Sequence, residues 1–234
     1  MNFESDPGDG GIYGFSASYA IARLTSSAYF GGEFFTVGQA QTGGAVSYVY
    51  RSYLKFDTSP ISPTATILQV NLRMVAILVN VYTGTDFDIQ IIKCDWSAFD
   101  PVDDTNRENV YDLILSENQD NSIWRNTSGM AIDTQYTSGN LDTDWINKDG
   151  YTYYGLRSSR DFNSVGPSLT RNELVRIGSG DNATEDYRPA LIVSVEEPGA
   201  FVPRTMIFFD RSFDWGWRKK DGLWQPQNPG LVTI

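Results

Sequence analysis

The sequence predicts an all-β fold built from antiparallel strands. Three observations carry that prediction. Aromatic residues make up 14% of the chain and sit among abundant Gly, Thr, Ser and Asn, a composition suited to pleated, half-buried surfaces joined by turns. Apolar residues recur at period two through much of the chain, the spacing that lays one face of a strand on a core. Prolines and glycines punctuate these runs where the chain must turn.

Bulk properties narrow the function classes. A chain of 234 residues is long enough to bury one sizeable core. The net charge of −11 argues against nucleic-acid binding, which needs a basic footprint on the phosphates. No run of about 18 apolar residues is present, so no membrane-spanning helix is expected. The opening residues MNFESDPGDGG have neither a basic n-region nor an apolar h-region and do not read as a secretory signal. Histidine is absent, which removes His-based zinc sites, Ser-His-Asp triads and the commonest general base. Cys94, the single cysteine, lies in Ile91-Ile92-Lys93-Cys94-Asp95-Trp96 and reads as a small core residue.

Taken in order, residues 1–11 are polar and Gly-rich and read as an extended N-terminal arm. Glu4, Asp6 and Asp9 in that arm are candidate oxygen ligands for a structural calcium ion; a flexible acidic segment is the plainer reading. Residues 12–24 alternate weakly and predict one or two strands. Phe34-Phe35-Thr36-Val37-Gly38 predicts a short strand stopped by glycine, followed by a loop over 39–45.

The chain is organised around residues 48–79. Tyr48, Tyr50, Ser52, Leu54 and Phe56 fall on one side of a period-two ribbon, and Val49, Arg51, Tyr53, Lys55 and Asp57 on the other. This alternation predicts that Arg51 and Asp57 face solvent, where an ion pair is worth about 0–1 kcal/mol. Pro60 and Pro63 force a turn. Leu68, Val70, Leu72, Met74, Ala76 and Leu78 then run down one face of a long strand. The other face changes from Gln69, Asn71 and Arg73 to Val75, Ile77 and Val79, predicting that the far half is covered on both sides.

At these residues the chain resembles the DNRLRE-type domains, jelly-roll sandwiches found on secreted, cell-surface and phage-encoded proteins. One anchor of the resemblance is Tyr50-Arg51-Ser52-Tyr53-Leu54-Lys55-Phe56-Asp57, with the Pro60–Pro63 loop and the strand from Ala65 to Leu72. The other is Asp186-Tyr187-Arg188-Pro189-Ala190-Leu191-Ile192-Val193-Ser194-Val195, similar to the closing Arg-Pro-x-Leu-x-Val strand of those domains. Residues 34–38 sit where such domains carry a Leu-x-Val-Gly strand. The resemblance spans about residues 12–196 and implies an antiparallel two-sheet jelly roll. Its core is expected to include Leu54, Phe56, Val70, Leu72, Leu191 and Val193.

Between the anchors, the change of parity from Phe87, Ile89 and Ile91 to Ile92, Cys94 and Trp96 predicts a bulge near Ile91. Thr105-Asn106-Arg107-Glu108 has the form of a capping box, and Val110, Leu113 and Ile114 follow at helical spacing, so one short helix is expected. Nearby Asp100, Asp103 and Asp104 read as helix-start and solvated-loop residues. Tyr151 to Leu156 and Leu174 to Ile177 read as strands.

The organisation expected is therefore an arm (1–11), a DNRLRE-type β-sandwich (12–197) and a C-terminal β-hairpin-like appendage (198–234). The charge changes at that last boundary. Residues 1–200 hold 13 basic and 26 acidic side chains, whereas residues 201–234 hold five and three. Ile207, Phe209, Phe213, Trp215 and Trp217 share one face of a period-two pattern. Lys219-Lys220-Asp221-Gly222 is a hairpin-turn candidate before Leu223-Trp224. A lone hairpin is marginal in water, so this stripe, with Arg218 and Trp224, is a candidate docking surface.

Two functional readings result, neither catalytic. The resemblance to phage-encoded DNRLRE-type proteins, with no secretory signal and no catalytic motif in the sequence, implies a structural virion protein, such as a capsid decoration, fibre or tail component. Such a protein assembles in a host cytoplasm, docks through its appendage onto other virion proteins, and associates with itself. The alternative is a carbohydrate-binding module of a cell-surface or secreted protein, with Tyr151, Tyr153 and Tyr154 stacking on glycans. Neither reading requires a cofactor beyond the calcium considered above.

Overall fold

A computed structural model describes residues 1–82, 84–116, 121–168 and 171–197, and the strand backbone of 217–220 and 223–226. The chain begins with β1 (Asn2–Glu4) and β2 (Gly10–Ser16), followed by the helix α1 (Tyr19–Leu24). β3 (Ala28–Phe30), β4 (Phe34–Gln41), β5 (Ser47–Asp57) and the long β6 (Thr66–Val81) come next. β7 (Asp88–Lys93) leads to α2 (Arg107–Leu115), then β8 (Asn121–Asn126), β9 (Thr134–Thr137) and β10 (Tyr151–Ser158). The one-turn helix α3 (Ser159–Phe162), β11 (Asn172–Gly178) and β12 (Ala190–Glu196) complete the unit Met1–Gly199. In the separate unit Ala200–Ile234, β13 (Trp217–Lys220) pairs antiparallel with β14 (Leu223–Pro226), the hairpin that the turn chemistry predicts.

The fold is all-β, with β1 to β12 hydrogen-bonded into a single curled antiparallel sheet. Its main path runs β1-β12-β6-β11-β4-β5-β10-β7-β8, with β2 and β3 attached beside β5 and β9 beside β6. β5 and β6, adjacent in sequence, are thus separated in the sheet by β4 and β11. They face each other across the core, where Leu54 and Phe56 meet Val70 and Leu72 in one cluster with Leu191 and Val193. All six residues expected there are fully buried. The two sequence anchors pair directly, with Leu191 opposite Leu72 and Val193 opposite Val70. The connecting loop is pinned at its start by Thr58, whose hydroxyl donates to the carbonyls of Asn147 and Gly150. Ile61, fully buried, caps the core beneath that loop.

A second cluster lies on the outer face of β5, β7 and β10, under α2. It contains Ile12, Tyr53, Ile92, Cys94, Trp96, Val110, Tyr111 and Ile114. The parity change along β7 therefore feeds both clusters: Ile89 and Ile91 point inward and Ile92 outward. The register shift falls between Ile89 and Gln90. Helix and sheet come close because β10 has Gly155 under Ile114, where a Cβ would lie 2.6 Å from the Ile114 side chain.

Several local expectations change. Residues 19–24 form α1 rather than a strand, and buried Ala22 lets the helix backbone settle on Gly14. Gly38 does not stop β4 but lies inside it, at φ +128°. A side chain there would meet the Glu173 carbonyl of β11 at 2.2 Å, so close strand approach selects glycine. The capping box at α2 does not form. Asp103 accepts the backbone amides of Thr105 and Asn106, while the Glu108 carboxylate instead accepts the Ser26 amide at 2.8 Å. On β6, Leu68 is exposed despite its apolar side of the pattern, and Ile77, Leu78 and Val79 are only half-buried. Residues 1–11, read as an arm, supply β1 and the start of β2.

Truncating Leu72 to Ala should cost about 2–5 kcal/mol, because its cavity would open between the two paired anchor strands. Urea unfolding of the full chain measures this, and a loss below about 1 kcal/mol would mean that the site collapses without penalty.

Candidate functional site

Among the described residues, Arg51 is a charge that the period-two reading places in solvent. It is fully buried instead, because α1, α2 and α3 cover the outer face of β5. Its Nε and Nη2 donate to the two carboxylate oxygens of Asp161 at 2.7 and 3.0 Å. Nη1 donates to the Tyr111 carbonyl at 2.9 Å and Nη2 to the Arg23 carbonyl at 2.8 Å. The guanidinium also lies 3.7 Å from the Tyr111 ring centroid. Burial by itself lowers the Arg51 pKa, but the Asp161 charge and hydrogen bonds, together with the Tyr111 and Tyr19 phenols, outweigh it and the net shift is upward. Asp161 is held in place by Ser158, whose hydroxyl accepts the Asp161 amide where β10 turns into α3. Asp57, by contrast, is exposed as expected and accepts from the Ser59 amide and hydroxyl.

Two further buried charges extend this polar layer. Glu173 accepts from the Gln39 side-chain amide and the Ser168 backbone, with Arg160 3.0 Å away. Arg157 donates to the carbonyls of Ile114 and Leu115 at the end of α2 and to the Gln90 side chain. These bonds are structural clamps on α2, α3 and the loop after α3. Cys94 is buried as expected, and burial pushes its thiol up to about 12, far from a reactive thiolate.

An open groove of about 400 Å³ lies along β10 and is lined by Lys93, Asp95, Trp145, Asn147, Tyr151 and Tyr153. The Tyr151 and Tyr153 rings are 6.3 Å apart at 47°. Lys55 Nζ stands 5.2 Å over the Tyr151 ring, while Tyr153 packs edge-on to Trp96 at 4.7 Å. Lys55 itself pairs with Asp100 at 3.0 Å and Asp6 at 3.4 Å. Of the three glycan-stacking candidates, Tyr151 and Tyr153 line this groove and Tyr154 does not. Alternation along β10 turns Tyr154 into the main core against Phe56 and Trp145, fully buried.

A second surface feature was not singled out from the sequence. On β2 and β5, Tyr13, Phe15, Tyr48 and Tyr50 form a cross-strand aromatic ladder. Phe15 and Tyr48 stack at 5.8 Å, Tyr48 and Tyr50 at 6.2 Å and 10°, and Tyr13 lies 5.8 Å from Tyr50. Phe15 is 51% exposed, so this is apolar surface rather than core. Its signal was present as two aromatic pairs at i, i+2, but only the Phe15–Tyr48 register joins them.

The calcium candidates are each engaged elsewhere. Glu4 faces Arg188 at 3.4 Å, Asp6 accepts from Gly8 and pairs with Lys55, and Asp9 is buried against Ser5 and Gly180. Among the described residues no three acidic, cysteine or histidine side chains are grouped as metal ligands. Of the docking candidates, Ile207, Phe209, Phe213 and Trp215 lie outside the described residues. Trp217, Arg218 and Trp224 are placed by backbone alone, on the paired strands β13 and β14. No helix among the described residues is long and apolar enough to cross a membrane. No protein-family model and no curated protein matches the chain.

Replacing Arg51 with Ala should destabilise the protein by about 3 kcal/mol, since buried Asp161 would lose its two-pronged partner and keep only Arg23, 3.2 Å away. Chemical unfolding tests this, and an unchanged midpoint would show that Arg23 or water takes over at Asp161. Arg51→Lys should recover only part of the loss, because an ammonium cannot make the two-pronged bond.

Proposed function

We propose that the chain is a non-enzymatic structural component of an assembly, reading the curled sheet as a jelly-roll sandwich of the DNRLRE type. One observation carries this reading. The unit Met1–Gly199 closes its own core, with β12 flanked by β1 and β6, while the described part of the separate C-terminal unit is a single two-stranded hairpin. A hairpin alone is marginal in water, and the sequence around it is rich in Phe and Trp. Its mildly basic composition complements the acidic body of another copy or a partner. The aromatic ladder of Tyr13, Phe15, Tyr48 and Tyr50 adds exposed contact surface. The resemblance to phage-encoded domains favours a virion as the assembly, with the C-terminal stripe from Ile207 to Trp224 as its docking element.

The groove along β10 supports a second reading, a carbohydrate-binding module. Tyr151 and Tyr153 offer ring faces and edges beside the polar groups of Asn147, Asp95 and Lys93, the combination that sugar rings and hydroxyls require. Tyr154 has no part in it.

Removing residues 198–234 separates the two readings. The shortened chain should remain folded by circular dichroism and sediment as a monomer, whereas the full chain should self-associate. A monomeric full chain would overturn self-association through the appendage, and an oligomeric or unfolded shortened chain would overturn docking through it altogether. Under the second reading, glycan retention in affinity electrophoresis survives the truncation and is lost in Tyr151→Ala.

A further inference from the structure

The sequence contains three Asp-Gly steps, at Asp9-Gly10, Asp149-Gly150 and Asp221-Gly222. An aspartyl residue followed by glycine can close on itself, because glycine has no side chain to shield its own amide nitrogen. Whether the ring closes depends on how tightly the fold holds the two residues. Asp221-Gly222 lies outside the described residues. The fold treats the other two in opposite ways.

At Asp9-Gly10 both residues are fixed. Asp9 is buried, and its carboxyl accepts from the Ser5 hydroxyl and the Gly180 amide. Gly10 belongs to β2, opposite Tyr53, and a Cβ there would lie 2.6 Å from the Tyr53 hydroxyl. At Asp149-Gly150 neither residue is held. Asp149 is exposed, and its carboxylate has no hydrogen-bond or ion-pair partner among the described residues. Its backbone amide donates to the Asn147 side-chain oxygen at 3.0 Å, which leaves the carboxylate free to turn. Gly150 precedes β10, and no carbonyl among the described residues accepts its amide. The nearest atom to a Cβ added at Gly150 is the Asn147 side-chain nitrogen, 3.7 Å away, so the main chain there is open.

We propose that Asp149 is a site of spontaneous isoaspartate formation, and that the modification loosens the anchor of the β5–β6 loop. The Gly150 nitrogen attacks the Asp149 Cγ. The N–Cγ bond forms, the Cγ–OH bond breaks, and the hydroxyl leaves with the amide proton as water. Water then adds to either carbonyl of the succinimide. Breaking the N–Cγ bond restores aspartate. Breaking the bond from that nitrogen to the Asp149 main-chain carbonyl carbon instead leaves the chain routed through the side chain and one carbon longer. Water is the only co-reactant. The Gly150 carbonyl accepts the Thr58 amide at 3.1 Å and the Thr58 hydroxyl at 2.9 Å. That hydroxyl also reaches the Asn147 carbonyl and lies 2.8 Å from the Thr152 hydroxyl, which accepts the Asn147 amide. An extra main-chain atom directly before Gly150 displaces one member of this knot, with Tyr151 of the groove next in line. The modification is independent of either functional reading.

Ageing the full chain in mildly acidic buffer, followed by peptide mapping with electron-transfer fragmentation, tests the site. Isoaspartate should accumulate at Asp149 about tenfold faster or more than at Asp9, where ring closure must wait for local opening. In urea the two should react alike. In Gly150→Ala, whose added Cβ finds room, accumulation at Asp149 should fall severalfold. The isomerised fraction, separated by ion exchange, should lose amide-exchange protection at Thr58 while Leu72 holds. Similar rates at Asp149 and Asp9 in the folded chain would overturn the proposal. So would a difference that persists in urea, since local sequence rather than the fold would then set it. An unchanged rate in Gly150→Ala, or an isomerised fraction with Thr58 still protected, would overturn it equally.

Discussion

A guanidinium shut away from water dictates how the outer face of the sheet is built. A buried charge costs several kcal/mol unless its hydrogen-bonding capacity is met, and Arg51 draws its partners from three helices. The Arg23 carbonyl comes from α1, the Tyr111 carbonyl from α2 and the Asp161 carboxylate from α3. Each helix is short, from four to nine residues, and none would hold its shape alone. Convergence on one planar fork orients all three on β5. Arg157 repeats the device one strand over, at the carboxyl end of α2, where the helix dipole also favours a cation.

The same face of β5 serves two purposes along its length. Leu54 and Phe56 are enclosed by the opposing strands, whereas Tyr48 and Tyr50, further back on the same side, lie beside Tyr13 and the exposed Phe15. Period two does not change between them. What changes is the cover. A sheet that curls over only part of a long strand leaves the rest as a patterned surface. Apolar character on a strand is therefore a poor guide to burial at its ends.

This explains what was legible in the sequence. The inward face could be read residue by residue in the middle of the paired anchors, at Leu54, Phe56, Val70, Leu72, Leu191 and Val193, because there opposing strands cover it and alternation decides which side chains enter the core. Cys94 and the helix over 107–115 were also readable, the first from its apolar neighbours and the second from its spacing. The covering of the second face was not readable. Whether Arg51 meets water depends on where α2 and α3 lie, and that is a tertiary fact with no local signal in Arg51 itself. A hint existed in Tyr53, an aromatic residue two positions on and on the same side, which packs with Trp96 at 5.1 Å. The grouping of Tyr153 with Tyr154 was a different kind of error, since adjacent residues in a strand cannot share a face. Side-chain placement in the appendage falls outside the described residues.

The pairing of β1 with β12 also has a consequence in time. Asn2, Phe3 and Glu4 find their partners at Ile192, Leu191 and Ala190, almost the whole length of the body away. A ribosome adding about 5–20 residues each second needs roughly 10–40 seconds to bridge that gap. Throughout that interval residues 2–4 have no β12 to join, and β6 lacks its β12 partner along Thr66–Arg73, where residues 137–141 bond to its other edge. The body is completed by its last strand rather than grown outward from its first. A nascent chain halted before residue 190 therefore carries an open β6 edge that another unfinished chain can pair with.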